Sequence, residues 1–203
     1  MAIAIVGLGN PGRRYRDTRH NLGFMVAAQL GARWKFGWTA GKGPYEIAAG
    51  RIPGCDEDLL LVAPTTYMNA IGEAVTDVMA RFDVPLASVL VMVDDFWLPL
   101  GTIRFRKSGS DGGHNGLGSI IGSVNSEEFP RLRLGIQTPS MPPKDEIVDF
   151  VLGEFEAGER AMVSDMIARA ADAIEDFCRT GRAVPVNPPK AAEPGEGLER
   201  QDI

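Results

Sequence analysis

Residues 2–23 read AIAIVGLGNPGRRYRDTRHNLG, and the reading of this stretch decides the fold. An apolar run, AIAIV, leads into Gly7-Leu8-Gly9-Asn10-Pro11-Gly12, with glycines at the offsets of a dinucleotide-binding fingerprint. That fingerprint works only where a helix opens at the third glycine and lays an apolar face on the sheet. Residues 13–21 offer one large apolar side chain, Tyr15, so no such face exists. The acidic residue that would meet a ribose about 20 positions on is also missing, because 29–36 reads QLGARWKF. Asn10-Pro11-Gly12 reads instead as a tight turn, with proline fixing φ and glycine free to take positive φ. The stretch is a strand, a turn and a long polar loop. In α/β sheets, loops beyond the carboxyl ends of strands are where sites form.

Outward from this segment, short β-rich runs alternate with helical patterns. Strands are expected at 2–6, 45–49, 59–63, 88–94, 102–106 and 132–136. Helices are expected at about 22–33, 68–82, 115–124 and 158–180. LLLVA and VLVMV are continuous apolar runs, as strands covered on both faces require. The last helix carries Met162, Met166, Ile167, Ala170, Ile174 and Phe177 at three- and four-residue spacing, a stripe that packs on the domain, and Gly181 ends it. The pattern predicts an α/β domain over residues 1–184. Residues 185–203 are dominated by proline, glycine and charge, and read as a disordered or loosely docked tail.

No run of about 18 apolar residues is present, so no membrane-spanning helix is expected. The amino terminus lacks the pattern of a signal peptide, and a cytoplasmic location is expected. The net charge of −6 conceals an uneven distribution. Residues 145–203 hold 14 acids against 6 Lys/Arg, whereas residues 1–144 hold 13 acids against 15 Lys/Arg. Within the first 19 residues Asp17 is the single acid, against Arg13, Arg14, Arg16 and Arg19. A locally basic face on an acidic protein can track phosphates. Cys55 and Cys178 lie far apart in sequence and suggest neither a disulfide framework nor a metal site.

Four segments carry candidate chemistry. The two histidines, His20 and His114, each fall in a Gly/Asn-rich loop. Asp94-Asp95 closes a buried strand, where a carboxylate can orient a histidine and stabilise its charge. APTTYMN places Tyr67, Met68 and Asn69 at the start of a helix, with Asn69 as a possible cap. There is no G-x-S-x-G elbow, no cysteine in a suitable loop and no tight metal-ligand motif. With asparagines at 10, 69 and 115, this inventory favours water as nucleophile, a histidine as general base and neutral amides as positioners.

Taken in order, GLGNPGRRYRDTRHNLGF, PTTYMN, DDFWLPLG, GGHNGL, FPRLRLGI and FVLGEF resemble the bacterial peptidyl-tRNA hydrolase family from residue 2 to about 180. The resemblance implies a single α/β domain with a mixed twisted sheet flanked by helices. It also implies hydrolysis of the ester between a nascent peptide and tRNA, with peptidyl-tRNA as the partner. Neither a metal nor an organic cofactor is implied, and a cytoplasmic monomer is. It makes His20 the base, Asp94 its orienting partner and Asn10 the residue that distinguishes N-blocked from free aminoacyl substrate. Tyr15, Tyr67, Asn69, His114 and Asn115 fall at substrate-contacting positions. Arg104, Arg106, Lys107, Arg131 and Arg133 lie on or after adjacent strands and are expected to meet tRNA phosphates. Trp97 and Gly118 depart from the family's pattern. Two alternatives stay open: a non-catalytic RNA-binding relative, and a ribonuclease with His20 as base and His114 as acid.

Overall fold

The computed structural model describes residues 1–139, 141–143 and 146–181. The expected tail, 185–203, lies outside them. Seven strands form one mixed sheet: β1 (Ala2–Gly7), β2 (Thr39–Ala40), β3 (Tyr45–Gly50), β4 (Asp58–Pro64), β5 (Val89–Pro99), β6 (Ile103–Arg106) and β7 (Arg131–Gln137). Their order across the sheet is β2-β3-β4-β1-β5-β7-β6. The four central strands are parallel, and β2, β3 and β6 run antiparallel to their neighbours. All six expected strands are present; β2, two residues long, is additional.

The helices are α1 (Leu22–Trp34), α2 (Ile71–Phe82), α3 (Asn115–Val124), α4 (Ile147–Leu152) and α5 (Arg160–Thr180). Alternation along the strands sorts the core into two layers. Ile5, Leu59, Leu61, Leu90 and Met92 face Leu22, Val26 and Leu30 of α1 and Met166, Ala170 and Ile174 of α5. Ala4, Val6, Val62, Val91 and Val93 face Ile71, Val75 and Val78 of α2 and Leu117 and Ile120 of α3. The stripe on α5 is rotated from the expected one. Val163 takes the inward place and Met162 is exposed, because the three- and four-residue spacing from Met166 reaches Val163 equally well.

The fingerprint glycines have a packing explanation. A Cβ on Gly7 would lie 2.5 Å from the carbonyl oxygen of Gly23, and one on Gly23 would lie 2.4 Å from the amide nitrogen of Leu8. They allow the first turn of α1 to rest on the end of β1. Gly12, at φ 102°, lets the chain turn away behind Pro11.

Candidate active site

At the carboxyl end of the parallel strands, two separate loops converge on Asp94 of β5. The loop after β1 is not irregular throughout: it contains two short 3₁₀ turns, Arg13–Tyr15 and Arg19–Asn21. The second turn is buried. Arg19 accounts for this, with its guanidinium paired with Glu159 at 2.8 Å and lying over the rings of Phe150 and Phe155. Arg19 is therefore an anchor to the segment between α4 and α5, and not part of the exposed basic face expected from sequence. It sets the backbone of its neighbour, His20.

His20 Nδ1 lies 3.0 Å from both carboxylate oxygens of Asp94. Both side chains are buried. Burial alone would push the Asp94 carboxyl up, yet the adjacent imidazoles of His20 and His114 hold it well below the usual carboxylate range. Burial opposes a charge on His20, but the Asp94 carboxylate outweighs it and raises the histidine above its ordinary 6.5. Asp94 thus stays ionised and holds the Nδ1 proton, leaving Nε2 to accept one. Asp95 points the other way, to Arg133 at 3.1 Å, and also accepts from the Trp97 N–H at 2.9 Å.

Asn10 is buried and doubly held. Its backbone N–H donates to Asn21 Oδ1 at 2.8 Å, and Asn21 Nδ2 donates back to the Asn10 carbonyl at 2.9 Å. The side-chain oxygen of Asn10 accepts the Met68 N–H at 2.9 Å. That bond fixes the flip of the amide and leaves its NH₂ as the free donor face. Sequence reading missed Asn21 and the Met68 amide, and credited the rigidity to Pro11 and Gly12. The H-N-L pattern at the mouth of α1 does not show that residue 21 folds back on residue 10.

Tyr15 and Tyr67 meet edge to face, with ring centroids 6.4 Å apart, and Tyr67 is exposed. Asn69 and Asn115 are exposed on the same rim. Asn69 is not the expected cap: Ala70 precedes α2 and no side chain caps it. His114, expected as a substrate contact, lies beside Asp94. Its Nε2 lies 3.0 Å from Asp94 Oδ1 and its Nδ1 faces the first amides of α3, so both ring nitrogens are engaged within the protein.

The expected phosphate-binding arginines divide into two groups. Arg104 and Arg106 on edge strand β6 are exposed, as is Lys107. Their cross-strand partners are Arg133 and Arg131. Arg131 is fully buried, and its guanidinium donates to the carbonyls of Gly109, Ser110, Glu127 and Phe129. Burial brings its pKa down to about 10. Arg133 pairs with Asp95 and donates to the Ser110 carbonyl at 2.8 Å. Both tie the glycine-rich loop 107–114 to β7, and the expectation that Arg131 reaches phosphates is corrected by its full burial.

A groove of about 710 Å³ runs from Asn10 past Pro11, Phe24, Met25 and Trp38. A larger cavity of about 770 Å³ lies at the opposite end of the sheet, between Met1, Ser88 and Phe177, away from these side chains. Cys178 borders it, with its thiol pushed up to about 12 by burial, which makes it a poor nucleophile.

The site is thus a histidine–carboxylate pair at the strand ends of an α/β fold, with amides around it. The family profile described as peptidyl-tRNA hydrolase matches residues 4–191, and the chain belongs to that family. It is 45% identical to the peptidyl-tRNA hydrolase of Thermoanaerobacter sp. (strain X514) over 177 residues, covering 87% of this chain and 93% of the relative. It is 47% identical to that of Chlorobaculum parvum over 177 residues, 87% and 92% of the two chains. Among solved structures, the peptidyl-tRNA hydrolase of Acinetobacter baumannii superposes with a TM-score of 0.78 at 33% identity, over 89% of each chain. A complex of peptidyl-tRNA hydrolase with N-propanol gives 0.81 at 32% identity, again over 89% of each.

Proposed function

We propose that this chain, a peptidyl-tRNA hydrolase, cleaves the ester between peptide and tRNA by using His20 to activate water. The observation that carries this reading is the 3.0 Å contact of His20 Nδ1 with both oxygens of a buried, ionised Asp94. His20 Nε2 takes a proton from water as the water oxygen attacks the ester carbonyl. Asp94 holds the ring in the required tautomer and stabilises the imidazolium. The imidazolium then returns the proton to the departing ribose oxygen, and peptide and tRNA separate. Such general-base help is worth about 10²- to 10⁴-fold in rate.

Asn10 supplies the discrimination. Its free NH₂ donates to the acyl carbonyl of an N-blocked substrate. A free α-ammonium offers donors alone and meets that NH₂ unfavourably. Tyr15, Tyr67, Asn69 and Asn115 border the substrate on the exposed rim, and Arg104, Arg106 and Lys107 meet backbone phosphates. Contacts of charge and shape suit an enzyme that must accept every tRNA. A cytoplasmic location and a monomeric state belong to the same proposal, since the substrate arises in translation and His20, Asp94 and Asn10 come from one chain. No helix of the described residues is long and apolar enough to cross a membrane.

The test is hydrolysis of N-acylated against free aminoacyl-tRNA, followed by inspection of the released tRNA. Release of peptide with an intact 3′ adenosine supports the reading. A shortened RNA chain would mean phosphodiester cleavage, and no release would mean binding without catalysis.

A further inference from the structure

Asp94 is approached by two imidazoles, and water activation employs one of them. His114 precedes α3 with extended backbone, φ −85° and ψ 113°. Its Nδ1 accepts the backbone N–H groups of Gly116 at 3.1 Å and Leu117 at 3.3 Å. A ring nitrogen that accepts two N–H groups carries a lone pair, so the ring proton resides on Nε2. That N–H donates to Asp94 Oδ1 at 3.0 Å. Gly116 makes the approach possible: a Cβ there would lie 3.1 Å from His114 Cε1 and 2.6 Å from Met68 Sδ.

We infer that His114 is a positioning residue, a neutral imidazole locked as the Nε2–H tautomer by the first turn of α3, which clamps Asp94 in the orientation that serves His20. The inference rests on the reading of His20 as base, and it explains three things. A buried carboxylate needs donors for both oxygens if it is to stay in one rotamer, and His20 alone would leave Oδ1 with less than its capacity. The tautomer also removes His114 as the acid of a two-histidine ribonuclease, because its one ring proton is committed to Asp94. Finally, it bears on metal binding. The donor atoms of His20, Asp94 and His114 lie within 4.8 Å of one another, a spacing that invites a divalent ion. A metal on His114 Nε2 would drive the proton to Nδ1, against two N–H donors. Metal-ligating histidines instead donate their second N–H to an acceptor. The surroundings of the ring suit a carboxylate clamp.

A structural role for His114 would leave the titration of His20 unmoved, whereas a clamp does not. Among the described residues, the titratable groups facing the His20 ring are Asp94 from β5 and His114 from the loop before α3; its neighbour Arg19 faces Glu159. His114→Leu removes one donor from Asp94, so the carboxylate's charge is less compensated and holds the His20 proton more tightly. The acid limb of the pH–rate profile then moves to higher pH. kcat falls by about 10- to 100-fold, the scale of a misplaced catalytic group, with little change in KM. His114→Gln, which keeps an N–H within reach of Asp94, brings the limb back toward wild type.

The chain has two histidines, so ¹⁵N-histidine labelling of the full-length protein gives two rings, told apart by His20→Gln. At about pH 7 the His114 ring is expected to show a lone-pair Nδ1 and a protonated Nε2. An Nδ1–H tautomer would overturn the inference. So would a His114→Leu variant with raised KM, intact kcat and an unmoved acid limb, the signature of a substrate contact. The ring spectrum is read without turnover, so it stands apart from the reading of His20 as base, which the activity of His20→Ala tests.

Discussion

The loop that carries His20 and the loop that carries His114 look alike in sequence, both polar, both glycine-rich, each with one histidine beside an asparagine. They are built differently. The first loop is wound into two 3₁₀ turns and buried by Arg19, and it presents a histidine with one ring nitrogen engaged by Asp94. The second is held by its backbone carbonyls, which two arginines of β7 grip at Gly109 and Ser110, and it presents a histidine with both ring nitrogens engaged. The far sides of the two rings differ: Nε2 of His20 is left for the proposed role of base, and the pair of helix amides on Nδ1 of His114 suits the proposed clamp.

The largest effect should come from the first loop. His20→Ala removes the base while Arg19 continues to hold the turn. Turnover should fall about 10²- to 10⁴-fold, with tRNA binding and the thermal transition close to wild type. Near-normal hydrolysis by this variant would erase the contrast between the loops.

In the second loop the corresponding lesion is structural. Arg131→Met takes the side-chain donor from the carbonyls of Gly109 and Phe129, while Ser110 keeps Arg133 and Glu127 keeps two backbone N–H groups. At about 1–3 kcal/mol for each unmet group, a loss of about 2 kcal/mol or more is expected in denaturant unfolding. Its cross-strand neighbour Arg106 is exposed, and Arg106→Met should cost less than about 0.5 kcal/mol. Equal losses from the two would show that the arginines do not divide as described.

Asn10→Asp gives a smaller and more selective change. The carboxylate keeps an oxygen for the Met68 N–H but replaces the free NH₂ with an acceptor. Preference for N-acylated over free aminoacyl-tRNA should narrow by about 1–3 kcal/mol, read from the ratio of the two kcat/KM values. A proportional loss of both activities would assign Asn10 to the turn alone. Smallest is the effect at the sheet edge. Arg104→Ala and Arg106→Ala should each reduce the slope of log binding against log salt by about 1, while Arg133→Ala leaves it nearly unchanged because Asp95 already holds that charge.

The strands were legible because continuous apolar runs admit few alternatives, and the rejection of a dinucleotide loop followed from the missing helix face at 13–21. Short elements were not. IVDFVL forms α4, but six residues show under two turns of any period. Asp94 and Asp95 were separable in principle, because 90, 92 and 94 share one face of β5 with α1, at whose mouth His20 sits. The roles of Arg19, Arg131 and His114 were not. Each depends on carbonyls, amides or a carboxylate brought from distant segments, and composition counts an anchoring arginine the same as a phosphate-binding one.

The central claim is that Asp94 holds His20 in a basic, oriented state, and the pH–rate profile of Asp94→Asn against wild type tests it most directly. Asp94 raises His20, so in the wild type kcat/KM should rise with pH through a midpoint above 6.5, as the ring loses its proton and becomes a base. With asparagine at 94, burial is left unopposed and the limb should move to lower pH, below 6.5, while the plateau falls about 10²- to 10⁴-fold. An unmoved limb with a wild-type plateau would contradict the account.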